Sequence, residues 1–253
     1  MAYLLAPELP DASDLASGRV VHGLPGHPAF PVRLADEVLR RCLALREALQ
    51  RLSGPCTIYD PCCGAAYHLF VMGYLHWPSI REIVASDVDP AVLGAAERNL
   101  ALLGVEGMDA RRRELEELLA RHGKDSHREA LESASRLRAR IAAFAQERPL
   151  ATRVFRADAL DRAALRRGLG GTPVDVVFAD VPYGWSARWQ GTAASGDAPP
   201  PLWSLLEALL GVVSPATLVA IASDKAQKAA HEGYRRLERF QVGKRRIVIL
   251  ARA

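Results

Sequence analysis

The sequence predicts an α/β fold: a doubly wound, mostly parallel seven-stranded sheet with an N-terminal helical segment and an inserted helical hairpin. Three observations carry this reading. From residue 56 onward, short apolar runs alternate with stretches of helical periodicity, as βαβ units do. Four of those runs end at an aspartate: Asp60, Asp87, Asp158 and Asp180. The 253 residues are 49% hydrophobic and 25% charged, an ordinary globular balance. That length fits one long domain with an insertion better than two independent domains. Disorder throughout, a collagen-like fibre and a disulfide miniprotein are excluded by the same figures.

The elements follow in order. Residues 1–31 hold Gly18, Gly23, Pro25, Gly26, Pro28 and Pro31 and read as irregular. Leu34, Val38, Cys42, Leu45, Leu49 and Leu52 recur at steps of three and four, which marks an amphipathic helix stopped by Gly54-Pro55. A strand over 56–60 leads to a helix over 65–76. A strand over 82–87 leads to a helix that Asp89 caps and Pro90 opens, running to about Leu103. Strands over 154–158 and 174–180 flank a short helix reaching Arg167. A helix over 202–213 precedes a strand over 217–223. Two last runs, 235–242 and 245–251 with Gly243 between them, form a hairpin that adds antiparallel pairing. Residues 105–150 break the rhythm. Leu115, Leu118 and Leu119 mark one helical face there, and Ala134, Leu137, Ile141 and Phe144 another. Gly123-Lys124-Asp125 turns the chain, and Ser126 to Glu129 matches a capping box. The expected organisation is one domain over 1–253, comprising an N-terminal extension with a helix over 1–55 and a helical insertion over 105–150. The insertion carries ten basic and nine acidic residues, so it reads as a solvated packing element.

The formal charge is +4 and the pI near 9.0, a mild pointer to a polyanion. Arginine supplies 29 of the 33 basic residues, which fits phosphate recognition and a GC-rich coding sequence equally. From Lys225 onward there are nine basic residues and two acidic. That excess suits either a charge-protected sheet edge or an RNA backbone surface. No apolar run reaches membrane-spanning length and the first residues lack a leader pattern, so a cytoplasmic protein is expected. Cys42, Cys56, Cys62 and Cys63 show no C-x-x-C spacing, and His22, His27, His68 and His76 no ligand spacing, so no metal is expected.

The strand-end acids carry the chemistry. In open α/β sheets, ligands bind outside the carboxyl ends of the strands. Asp60-Pro-Cys-Cys-Gly64-Ala-Ala-Tyr67 is a strand end, a tight turn and a helix start. Gly64 admits close backbone approach, and a helix start offers N–H donors. The string is neither G-x-G-x-x-G nor a Walker A loop. Asp87 can accept both hydroxyls of a ribose, and Asp158 an adenine amino group. Together they describe an adenosine-shaped ligand without phosphates. Asp180-Val-Pro-Tyr183-Gly184 follows a strand, and Trp185, Arg188 and Trp189 follow it at once. Aromatics interleaved with arginine suit either base stacking or core packing. The small-residue stretch 190–201 reads as a lid or a plain surface loop.

These residues resemble the class I S-adenosylmethionine-dependent methyltransferases over roughly residue 56 to the C-terminus. Asp60-Pro-Cys-Cys-Gly64 is similar to their D-P-x-C-G-S-G cofactor loop, with Ala65-Ala66-Tyr67 in place of S-G. Asp180-Val-Pro-Tyr183 is similar to the [DN]-P-P-[YF] motif of enzymes that methylate base nitrogens. Val181 is similar to the aliphatic residue of adenine-N6 rRNA enzymes. Taken whole, the strings resemble the avilamycin-resistance family of rRNA guanine methyltransferases. The resemblance implies S-adenosylmethionine as cofactor, held by Asp60, Cys62, Gly64, Tyr67, Asp87, Asp158 and Asp180. It implies Asp180, Pro182 and Tyr183 as the catalytic group, with Asp180 accepting from the base. It further implies a guanine nitrogen of 23S ribosomal RNA, N1 foremost, as methyl acceptor, naked or in the large subunit. Resistance to an orthosomycin antibiotic follows, in a monomer without metal. Trp185, Arg188, Trp189, Arg235, Arg236, Lys244, Arg245 and Arg246 are the candidate RNA contacts. An adenine-N6 enzyme and a non-enzymatic RNA-binding module on the same fold stay open. Pyrimidine C5 chemistry is disfavoured because no cysteine follows Cys63, and ribose 2′-O chemistry because no lysine precedes Lys124.

Overall fold

Alternation of side chains along the strands builds two cores on the two faces of one sheet. The computed structural model describes residues 3–7, 12–16, 18–25, 29–181, 189 and 199–253. The strands are β1 (Cys56–Asp60), β2 (Ile80–Asp87), β3 (Ala151–Arg156), β4 (Val176–Asp180), β5 (Leu218–Ser223), β6 (Tyr234–Val242) and β7 (Arg245–Arg252). Their order is β3-β2-β1-β4-β5-β7-β6. The first five pair in parallel; β7 runs antiparallel to both β5 and β6. One face carries Ile58, Ile83, Phe178, Ala220 and Ile249, the other Tyr59, Val84, Val177, Ile221 and Val248. A period of two with both faces covered is what gives these strands near-continuous apolar sequence.

The helices are α1 (Val32–Gln50), α2 (Tyr67–Leu75), α3 (Pro90–Ala101), α4 (Val105–His122), α5 (Asp125–Glu147), α6 (Arg162–Leu169) and α7 (Pro201–Leu210). Helices α1 to α5 belong to the first core, α6 and α7 to the second. A Cβ added at Gly73 would lie 2.6 Å from Leu103 and 2.9 Å from Ile83, so this glycine lets α2 press onto β2. Asp89 caps α3 as expected, through a 2.9 Å bond from the Ala91 N–H. Four expectations need correction. The capping box at Ser126 is absent: Lys124 occupies the cap position without a side-chain bond, and Ser126 lies inside α5. The third strand starts and ends earlier, at Ala151 and Arg156, because its whole length pairs with β2. Leu49 and Leu52 of the α1 stripe are 49% and 44% exposed. The buried side of α1 instead includes Asp36, Glu37, Arg41 and Arg46, since the chain's own N-terminal segment lies across it.

That segment is held by buried polar groups. Glu37 accepts from the N–H groups of Leu4, Leu5 and Ala6 at 2.8, 2.9 and 2.6 Å, and pairs with Arg41 at 2.7 Å. Arg41 also reaches Glu238 on β6 at 2.7 Å. The inserted helices grip the next stretch. Arg111 donates to the Val20 carbonyl at 2.9 Å, and Arg136 grips Asp14 with two bonds. The insertion is therefore more than a solvated packing element: it holds Asp14, Arg19 and Val20 in place. Asn99, fully buried on α3, completes the fastening. It accepts from the His22 N–H at 2.7 Å and donates to the carbonyls of His22 and Ala65, both at 2.9 Å.

Asn99→Ala leaves three backbone groups without partners. A loss of about 2–3 kcal/mol is expected in chemical denaturation, with earlier proteolysis near residue 22. A wild-type denaturation midpoint would show the fastening to be dispensable. His22 is a second test. Burial, helped by Arg111, holds its pKa down at about 4 from an ordinary 6.5. A depressed histidine contributes stability above pH 6.5 that is lost as the pH falls from there to about 4. Stability should decline over that window, and His22→Gln should flatten the decline. An unchanged slope in the variant would contradict this.

Candidate active site

The strand order reverses at β1, with β2 and β3 on one side and β4 and β5 on the other. A crevice opens at such a switch point, outside the carboxyl ends of the strands. Asp60, Asp87 and Asp180 close β1, β2 and β4, and Asp158 lies two residues beyond β3. Parallel neighbours stand about 4.8 Å apart, so these four acids converge. Cys62 measures the convergence. Its thiol is pushed well above the ordinary value, first by burial, then by Asp60, Asp87, Asp158 and Asp180. Cys63 is raised by burial and by Asp60 and Asp87. The upward shift favours the neutral thiol at both positions.

The turn after β1 is fixed by hydrogen bonds at nearly every step. The Cys62 N–H donates to Asp60 Oδ1 at 2.8 Å, the Cys63 N–H to the Ser86 carbonyl at 3.0 Å, and the Gly64 N–H to Asp87 Oδ2 at 2.9 Å. Gly64 has φ +51° and Ala66 φ +55°. The left-handed region costs an alanine about 1 kcal/mol, and burial of Ala66 in the first core offsets it. The N–H groups of Cys62, Cys63 and Gly64 therefore serve the loop itself, and the donors expected at the helix start lie beyond them. The first-turn N–H groups of α2 have no intrahelical acceptor.

The expected site residues fall into three groups. Asp87 and Asp158 stand at the crevice, each tied to backbone by one oxygen or both. Asp87 accepts from Gly64 and Asp89, and Asp158 from Leu160 at 2.9 Å. Burial raises the Asp87 pKa, the two N–H donors lower it, and Asp60 and Asp89 raise it further; the net shift is upward. Asp60 and Tyr67 are engaged inside the protein. Asp60 is fully buried, and its Oδ2 lies 2.6 Å from His68 Nε2. The Tyr67 hydroxyl donates to the Leu15 carbonyl at 2.6 Å and its ring is buried. Pro182, Tyr183, Trp185 and Arg188 lie outside the described residues. Trp189 is described, and it packs against the second core.

The RNA-contact set divides in two. Arg246 pairs with Ser223 at the carboxyl end of β5, so Lys244, Arg245 and Arg246 stand at the edge of the sheet that bears the acids. Arg235 and Arg236 pair with Ala251 and Leu250 near the other edge. About 3.3 Å per residue puts some 20 Å between the two ends of β6. Sequence reasoning missed His68 and Asn99. His68 lies eight residues after Asp60, in the first turns of the helix that the loop feeds, and that placement is the one signal it offered. Its ring rests against Phe30 and Phe178, with centroids 5.8 and 5.0 Å away. Asn99 gave no signal, because its partners are backbone groups remote in sequence. Among the described residues no cluster of His, Cys, Asp and Glu could hold a metal ion, and no helix is long and apolar enough to cross a membrane.

A family model described as rRNA methyltransferase AviRa matches residues 1–245. A curated relative from Streptomyces viridochromogenes, described as 23S rRNA (guanine(2535)-N(1))-methyltransferase, is 43% identical over 252 residues, covering 100% of this chain and 96% of its own. Two crystal structures of the aviRa rRNA methyltransferase from that organism superpose with TM-scores of 0.84 and 0.85 at 42% and 41% identity. They cover 100% and 99% of this chain and 96% of their own. With the family model matched over residues 1–245, 43% identity and near-complete coverage in both directions, the chain belongs to the AviRa family of rRNA methyltransferases.

Proposed function

We propose that this enzyme transfers a methyl group from S-adenosylmethionine to N1 of a guanine in 23S ribosomal RNA. The observation that carries the reading is the convergence of four strand-end acids at the switch point of the sheet, behind a loop built for close backbone approach. The donor set fits the cofactor. Each Asp87 oxygen accepts one N–H and keeps a second lone pair, enough for two ribose hydroxyls. Asp158, two residues beyond β3, is the acceptor for the amino group in this reading. The turn after β1 carries neither a G-x-G-x-x-G nor a Walker A string, which suits a nucleoside with a thioether-linked amino acid better than a dinucleotide. Asp60, through Cys62 and His68, sets the path of the loop and does not itself meet the ligand. The substrate name of the 43% identical relative supports guanine N1.

When bound, the cofactor supplies a sulfonium-activated methyl group. The protein's task is to align a base nitrogen with it and exclude water. Asp180, at the end of β4 and beside the β1 turn, accepts the N1–H of the base and relieves it of that proton. Tyr183 offers a flat face to a base drawn out of its stack, and the backbone carbonyl beside Pro182 is a second acceptor. The whole chain acts as one methyltransferase domain in the cytoplasm, as a monomer without metal. Residues 1–55 and 105–150 brace the cofactor loop from outside. The methylated guanine gives resistance to an orthosomycin of the avilamycin type, a reading that rests on the family resemblance.

Incubation with 23S rRNA and labelled cofactor, followed by nuclease digestion and mass analysis, should yield 1-methylguanosine. Asp180→Ala should lower the rate by about 10²–10⁴ while the protein stays folded. N6-methyladenosine as product, or full activity in Asp180→Ala, would overturn the assignment.

A further inference from the structure

Most arginines on the helical side of the sheet are neutralised. Arg19, Arg40, Arg41, Arg46, Arg111, Arg136 and Arg138 all pair with carboxylates. The far half of the carboxyl edge differs. Lys225 and Lys228 follow β5 directly, and both are exposed. Lys244 stands in the β6–β7 turn, exposed, and Arg246 opens β7 opposite Ser223. None of these four side chains has a hydrogen-bond or ion-pair partner among the described residues. Three of the chain's four lysines are thus gathered at one edge of one sheet. The turn that presents two of them is fixed: Asp224 Oδ1 accepts from Ala226 and Gln227 at 2.8 and 2.9 Å. Asp180 pairs with Ala222, the residue before Ser223. Two strand spacings separate β4 from β7, so the rim begins about 10 Å from Asp180.

We propose that Lys225, Lys228, Lys244 and Arg246 form a phosphate-binding rim that holds the RNA backbone beside the flipped base. Arg235 and Arg236, about 20 Å away at the other end of β6, lie outside it. The inference rests on the rRNA reading above and adds the surface on which the RNA lies. Unpaired cations cost little in water and gain by displacing the counterions of a polyanion, a contribution independent of sequence. Lysine suits that role, being a mobile point charge matched to phosphate without base selection. The position explains the polarity of the site: acids on β3, β2, β1 and β4 face a nucleoside carrying positive charge, and bases beyond β5 face the anionic strand. A charge-protected edge would account for solubility, but it gives no reason for lysines in the β5 turn, which is not an edge strand.

The test uses the full chain and 23S rRNA transcribed in vitro, with binding read by filter retention across a salt series. Lys225→Gln/Lys228→Gln/Lys244→Gln/Arg246→Gln should weaken binding about 100-fold at physiological salt and reduce the log–log salt slope by about 3–4. Calorimetric affinity for S-adenosylmethionine and the melting temperature should not move, which separates RNA contact from misfolding. The control variant Arg113→Gln/Arg121→Gln/Lys124→Gln, which removes three charges from the inserted helices, should stay within about threefold of wild type. Wild-type RNA affinity and salt slope in the rim variant would overturn the proposal, as would an equal loss in Arg235→Gln/Arg236→Gln. A wild-type protein that retains RNA through this rim yet transfers no methyl group would uphold the rim and overturn the methyltransferase reading. A wild-type protein that does not retain RNA would overturn the rim.

Discussion

The rest of the structure depends on holding four carboxylates close together at one edge of a parallel sheet. Pairing of β1 with both β2 and β4 forces their ends into one crevice. Like charges at that spacing repel, and burial makes Asp87 costlier to ionise. The loops after β1, β2 and β3 answer with N–H groups: Cys62 toward Asp60, Gly64 and Asp89 toward Asp87, Leu160 toward Asp158. His68 takes the remaining oxygen of Asp60. The β1 loop's backbone, with Gly64 and Ala66 both at positive φ, follows from aiming those donors. The crevice is thus organised before any ligand arrives, which is what electrostatic pre-organisation requires.

Fastening of the loop extends outward in layers. Asn99 ties the loop to His22, Tyr67 ties α2 to Leu15, and Arg111 and Arg136 tie that segment to the inserted helices. The insertion and the N-terminal extension, which look peripheral in the topology, are both coupled to the turn that bears Gly64. Such a shell keeps the site within fractions of an ångström of a working geometry, and its residues need never touch substrate.

Much of the fold was legible because both faces of the sheet are covered. Period-two apolar strands and period-3.6 helices then differ clearly in sequence, and β1 was bounded to the residue. The acids were legible for a related reason: a strand that ends in Asp on four successive occasions is improbable as turn chemistry alone. What was hidden depends on contacts distant in sequence. The charged residues on the buried side of α1 gave no signal, because Glu37 finds its partners at Leu4, Leu5 and Ala6. The family resemblance implied Tyr67 as a cofactor residue, and its hydroxyl meets Leu15, 52 residues earlier, a contact no local pattern shows. The basic tail read as one surface, because sequence proximity does not show that a hairpin carries its residues to opposite edges of a sheet.

The central claim is that the acid crevice is a nucleoside site read through Asp87. Calorimetric titration of the protein with S-adenosylmethionine tests it most directly. A single saturating site is expected. Its affinity should fall about 10–100-fold in Asp87→Asn, the size of lost hydrogen bonds to a charged acceptor. In the wild type, affinity should also weaken as acid protonates Asp87, beginning above the usual aspartate range because its pKa is raised. Absence of binding by the folded wild type, or wild-type affinity in Asp87→Asn, would contradict it.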